Sequence, residues 1–205
     1  MSQTRAYHSP RRTRAAAATR RDIVEAARRL FLDRGYAQVT VADIAQAAGT
    51  AVKTVYASAG GKAEILREIV GAGVAGSDAE ETLRRVRACP DGASALAELA
   101  RGTRRGNEEH REAVSVLYSA LPVHESAEAL WAQATTGYRE ALGEVANHLA
   151  ATGALRPDLD AARCADLLWL CFGFGAWRTL VAECGWDWDA AERELTRMAT
   201  GMLLP

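Results

Sequence analysis

Residues 39–62 read VTVADIAQAAGTAVKTVYASAGGK, and this stretch decides the fold. Thr40 stands before an apolar-periodic segment with Asp43 three residues on. Its hydroxyl can accept from the Asp43 N–H, while the Asp43 carboxylate favours the positive end of a helix. Val41, Ile44, Ala45 and Ala48 then share one face for about two turns, and Gly49 stops the helix. From Thr50 to about Ala57 helical spacing resumes through Val52, Val55 and Tyr56. Small residues at 45, 47, 48 and 51 let the two segments approach closely. Helices this short are marginal in isolation, so a third helix must hold them.

That third helix is written upstream. From Thr19, read as an N-cap with Asp22 three residues on, Ile23, Ala26, Ala27, Leu30 and Phe31 form one apolar stripe that ends at Gly35. Arg20, Arg21, Arg28 and Arg29 lie mostly off that stripe, with solvent or phosphate as natural partners. Residues 1–18 hold Arg5, Arg11, Arg12 and Arg14 without apolar periodicity and read as a flexible basic arm. A compact three-helix unit over 19–70 follows, with a glycine turn between its last two short helices.

Charge distribution assigns that unit a partner. The chain has 205 residues, 49% apolar and 25% charged, with a net charge of −1. Residues 1–62 carry 11 Lys or Arg against 4 Asp or Glu, whereas residues 63–205 carry 14 against 22. A basic end on a non-basic remainder points to a polyanion such as DNA. The four cysteines form no C-x-x-C pair and follow no secretory leader, which argues against a zinc site or a disulfide framework and for a reducing, cytoplasmic setting. The longest apolar run, Leu167 to Trp177, is 11 residues, well short of the ~20 that span a bilayer. No membrane partner is expected.

An apolar-striped helix ending in Gly-Tyr, then T-V-A-D-I-A-Q-A-A-G, T-V-Y and G-G-K-A-E-I-L, in that order, resembles the DNA-binding domain of the TetR family of transcriptional regulators over about residues 19–70. The resemblance implies that Thr50 to Ala57 is a recognition helix for the major groove of double-stranded DNA. It implies phosphate contacts at Thr40, Thr54, Tyr56 and Lys62, whose hydroxyls, phenol and ammonium suit phosphate oxygens. Base contacts fall to Thr50, Ala51, Val52 and Lys53; Lys53 can donate to guanine, and Ala51 and Val52 can meet a thymine methyl. The chain departs from the family pattern at Ala59, where an aromatic is usual, at Thr50, where Val is usual, and at Gly60-Gly61.

Beyond residue 70 the pattern is helix after helix, so the class is all-α: an N-terminal helix-turn-helix domain and, over 71–205, a helical effector-binding and dimerisation domain. Expected helices are Lys62 to Val74, Glu80 to Ala88, Ala93 to Arg105, Glu108 to Ala120, Ser126 to Ala151, Asp160 to Cys184 and Asp189 to Leu204. The segment LLWLCFGFGAW at 167–177 is apolar around most of its circumference and must be covered on every side. A second subunit is the natural cover, and the resemblance implies a homodimer. Tyr118, Trp131, Tyr138, Trp169, Phe172, Phe174 and Trp177 are candidates to line a cavity for a small apolar or aromatic effector, with His124, Arg178 and Glu183 as polar anchors.

Catalysis has little support. Glu144 and His148 make a lone pair where a di-iron bundle needs several such ligands. No phosphate-cradling loop or nucleophile elbow occurs. No catalytic residue, metal or cofactor is expected. A repressor released from a palindromic operator by its effector fits best; a helical-bundle carrier or enzyme with an incidental helix-turn-helix is the alternative.

Overall fold

The computed structural model describes residues 10–74 and 79–205, and among them every regular element is helical. The chain forms two compact units. One holds the chain as far as Ala72 together with Ser115–Leu130; the other holds Gly73–Val114 and Trp131–Pro205.

In the first unit α1 spans Pro10–Arg34. It starts nine residues before the expected cap, and Thr19 is not a cap, since its hydroxyl donates back to the Ala15 carbonyl at 3.1 Å. The reason is local: proline at the first helical position has no N–H to lose, and the alanine run after it is the best helix former available. The arm expected over 1–18 thus becomes helix from Pro10, and its first nine residues lie outside the described part. Ile23, Ala26, Ala27 and Phe31 are buried. Against them pack α2, Val41–Ala47, and α3, Val52–Ala59. Helix α4 is Lys62–Val74, as expected, with Ile65, Leu66, Ile69 and Val70 buried.

In the second unit α5 is Ala79–Arg87 and α6 is Gly92–Glu109. Helices α7, Arg111–Ala120, and α8, Glu125–Ala151, follow, and their residues from Ser115 to Leu130 belong to the first unit. The last part comprises α9, Ala161–Phe172, the short α10, Phe174–Trp177, and α11, Trp188–Leu203. Aspartates cap three of these helices: Asp91 accepts from Ser94 N at 2.7 Å, Asp160 from Arg163 N at 2.8 Å and Asp187 from Ala190 N at 2.7 Å. The core includes Leu96, Leu99, Leu142, Leu149, Leu168, Phe172, Trp177 and Leu195.

Two expectations are corrected here. Helix α6 runs to Glu109 rather than Arg105, so Glu108 and Glu109 end one helix instead of starting the next. The single helix expected from Asp160 to Cys184 is broken: Gly173 turns to extended backbone at φ −68 and ψ 166, and a π-helical turn, Arg178–Glu183, follows α10. The segment Ala161–Glu183 is long and apolar enough to cross a membrane by length and composition. It is broken at Gly173, and one face of it, Cys164, Leu168, Phe172 and Trp177, is buried in the core.

Gly173 is held by space, since its φ of −68 is open to any residue. A Cβ there would lie 2.5 Å from the Trp169 carbonyl oxygen, so Gly173→Ala should destabilise the chain by about 1–3 kcal/mol, the range for overpacking. At Gly143, inside α8, an added Cβ meets nothing within 4 Å. Gly143→Ala should stabilise by roughly 0.5–1 kcal/mol, and paired urea melts give both signs.

Candidate DNA interface and ligand cavity

The turn between α2 and α3 is built from its own residues. Thr40 is extended at φ −100 and ψ 162, its hydroxyl accepts from Asp43 N at 3.1 Å, and its N–H donates to Asp43 Oδ2 at 2.8 Å. Donation from the Thr40 hydroxyl, and then from the Thr40 N–H, holds the Asp43 carboxyl below its usual range. At the other end Gly49 takes φ +62, Thr50 N donates to Ala45 O at 2.9 Å, and Gly49 N donates to Gln46 O at 3.1 Å. This is a Schellman closure, which satisfies carbonyls the helix end would leave open. The chain leaves in a fixed direction, and α3 starts three residues later.

Helix α3 buries Val55 and Ala59 and leaves Ala51, Val52, Lys53 and Tyr56 exposed. The residues expected at base edges therefore share an exposed helix start, with Thr50 half-buried in the turn before it. Tyr56 is 56% exposed, free to reach a phosphate, and Thr54 is half-buried. Thr40 and Lys62 have further duties. The Thr40 hydroxyl donates to Asp43. Lys62 Nζ donates to the Tyr36 carbonyl at 2.7 Å and lies 4.2 Å from the centre of the Tyr36 ring; burial pulls its pKa below the usual value.

Tyr36 is the hub of this unit. It follows Gly35 at φ +78, its N–H donates to Ser119 Oγ at 3.3 Å, and its ring meets Phe31 and, edge-on, His124. Residues 115–130 therefore join the N-terminal unit, although periodicity alone placed them with the expected effector domain. Arg20, expected to face solvent or phosphate, instead pairs with Glu68 Oε2 of α4 at 2.6 Å and donates to the Ser58 carbonyl.

The second unit contains a cavity of about 240 Å³. Its walls are short of side-chain volume: Gly102 and Gly106 on α6, and Ala134, Gly137 and Ala141 on α8. Of the seven aromatic candidates, Tyr138 and Phe174 line it. Trp131 and Trp169 pack on the Phe174 ring, 5.7 and 6.3 Å between centres. Phe172 and Trp177 lie in the core, and Tyr118 belongs to the other unit. Arg178 and Glu183 pair with each other, and His124 stacks on Tyr36.

The polar part of the cavity was not foreseen. Asn107 Nδ2 donates to Thr103 O at 2.8 Å and to the Tyr138 hydroxyl at 3.2 Å, and that hydroxyl donates to Phe172 O. The break at Gly173 exposes this carbonyl, and Trp177 Nε1 also donates to it, at 3.1 Å. Burial pushes the Tyr138 phenol far above its usual pKa, so it stays protonated. The sequence signal for this site was the pair of glycines four apart in GTRRGNEE, a helix face without volume. Among the described residues no group of His, Cys, Asp and Glu is placed to hold a metal.

Residues 23–69 match the family model described as bacterial regulatory proteins, tetR family. No curated protein matches the chain. Solved structures share the fold. The fatty acid degradation regulator FadR from Bacillus halodurans is 17% identical with a TM-score of 0.66, over 96% of this chain and 97% of that one. The TetR family transcriptional regulator PfmR from Thermus thermophilus is 21% identical with a TM-score of 0.65, over 87% and 91%. SmeT in complex with triclosan is 17% identical with a TM-score of 0.64, over 92% of each chain. The helix-turn-helix over residues 23–69 thus matches the tetR-family model, and the whole length shares the fold of these solved structures.

Proposed function

We propose that the chain is a homodimeric, non-enzymatic repressor of the cytoplasm that leaves a palindromic operator when a small, mainly apolar effector fills the cavity. One observation carries this reading: a rigidly closed turn presents an exposed helix start in one unit, while the other unit holds a cavity lined by small residues. In this reading α3 enters the major groove, Thr50, Ala51, Val52 and Lys53 face base edges, and Thr54, Tyr56 and Lys62 hold phosphates. Thr40 joins them by turning its hydroxyl from Asp43 to the DNA. Leu170 of α9 is 61% exposed, and an apolar side chain this open supports a second copy as its cover. Triclosan in SmeT supports an aromatic effector.

The effector must bind the DNA-free state better, because equal affinity for both states shifts nothing. The units are joined covalently along α4, α7 and α8, so closure around a ligand changes the separation of the two recognition helices. Two half-sites at fixed spacing make affinity sensitive to that separation.

Two substitutions separate the roles in α3 and α4. Lys62→Ala should weaken binding to operator and random DNA alike and lower the salt slope by about one. It should also cost about 1 kcal/mol of stability, because the bond to Tyr36 is lost. An unchanged slope in a fluorescence anisotropy titration contradicts the phosphate role. Lys53→Ala should cost about 1–3 kcal/mol on operator DNA and much less on random DNA; equal losses contradict base reading.

A further inference from the structure

The buried residues of the cavity wall carry no charge. They are Thr82, Leu99, Thr103, Asn107, Ala134, Leu142 and Phe174, whereas the charged wall residues Arg105 and Glu109 are exposed. An ionic ligand would lose its water there and find no fixed buried counter-charge, a large penalty; the half-buried His110 is a further titratable wall residue. Volume sets the scale of what fits inside this part-open cavity: about 150 Å³ of apolar space takes benzene, so the 240 Å³ here holds about ten heavy atoms.

Asn107 specifies what that molecule must offer. It is 6% exposed, and both protons of its amide nitrogen are spent on Thr103 O and Tyr138 Oη. Thr103 O can only accept, so the nitrogen is fixed on that side and the carbonyl Oδ1 on the other. Among the described residues no donor reaches Oδ1, and Oδ1 is not fully enclosed. It is therefore an accessible acceptor, and the wall's other unpartnered polar side-chain atom among the described residues is His110 Nε2, which is enclosed. Tyr138 cannot serve as the donor, because its only proton goes to Phe172 O. A ligand that supplies an O–H or N–H satisfies Asn107; a pure hydrocarbon or an ether leaves it unpaired, which costs binding.

We propose that this cavity takes an uncharged, mainly apolar molecule of about ten heavy atoms that donates one hydrogen bond to Asn107 Oδ1. The proposal rests on the reading of the cavity as the effector site and names the class of effector.

The test uses four probes on the full-length chain by isothermal titration calorimetry: 2-naphthol, its methyl ether, 2-naphthoate and 2-naphthylmethylammonium. Naphthol should bind, with each charged probe weaker by about tenfold or more. In Asn107→Leu the ratio of naphthol affinity to methyl ether affinity should fall by about fivefold or more. Asn107→Ala replaces that variant if it does not fold, and the comparison of charged with uncharged probes needs no variant. Binding of none of the four, a charged probe binding as tightly as naphthol, or a ratio indifferent to Asn107 overturns the proposal. Operator binding is measured separately with each probe. Naphthol that binds without releasing DNA leaves the ligand class standing and contradicts the effector reading; release by a charged probe alone does the reverse.

Discussion

Helices of seven and eight residues do not persist alone in water, and the N-terminal unit is organised around holding two of them in place. Covalent order does part of this work. The Thr40 and Asp43 capping box satisfies the start of α2, and the left-handed Gly49 lets the next N–H groups close its end. Packing on α1 does the rest, through Ile23, Ala27 and Phe31. The charged contacts tie in the neighbouring elements: Arg20 joins α1 to Glu68 of α4, and Lys62 closes on Tyr36. Surface ion pairs are weak individually, so these bonds chiefly fix orientation, while buried apolar area supplies the stability.

The second unit follows a different logic. Its cavity is lined by glycine and alanine on both α6 and α8: at Gly106 and Gly137 an added Cβ meets nothing within 4 Å, whereas Gly102 makes room for the Thr82 side chain. Empty volume costs stability, and a protein that keeps it gains room for a ligand. The same region breaks the long apolar segment at Gly173 and uses the freed Phe172 carbonyl to anchor Tyr138 and Trp177. A chain of hydrogen bonds thus runs from Asn107 on α6, through Tyr138 on α8, to the end of α9. Contact with Asn107 is contact with the bond network that holds three helices.

The DNA-binding half was largely legible because its signals are local. A cap, a stop glycine and an apolar stripe each act within a few residues, and Thr40, Gly49 and the α1 stripe all took their expected structural places. The start of α1 was misread because arginine and alanine carry no apolar period, although alanine needs none to form a helix. Tyr36 was read as the end of a helix; its role as a hub depends on Ser119 and His124, far along the chain, which periodicity cannot see. The cavity was sought among large aromatics. Cavities are made where side chains are missing, and the informative residues were Gly106 and Gly137, with Asn107 as the polar group. The break in the segment after Asp160 was likewise hidden, since Gly173 reads as a mild weakness within an apolar run.

The central claim is that two copies of α3 read one two-fold symmetric stretch of DNA. Selection of bound duplexes from a random pool by the full-length chain tests it directly. A consensus with two inverted half-sites about one helical turn apart, centre to centre, is the expected result. A single asymmetric site, or no enrichment over the starting pool, would contradict it.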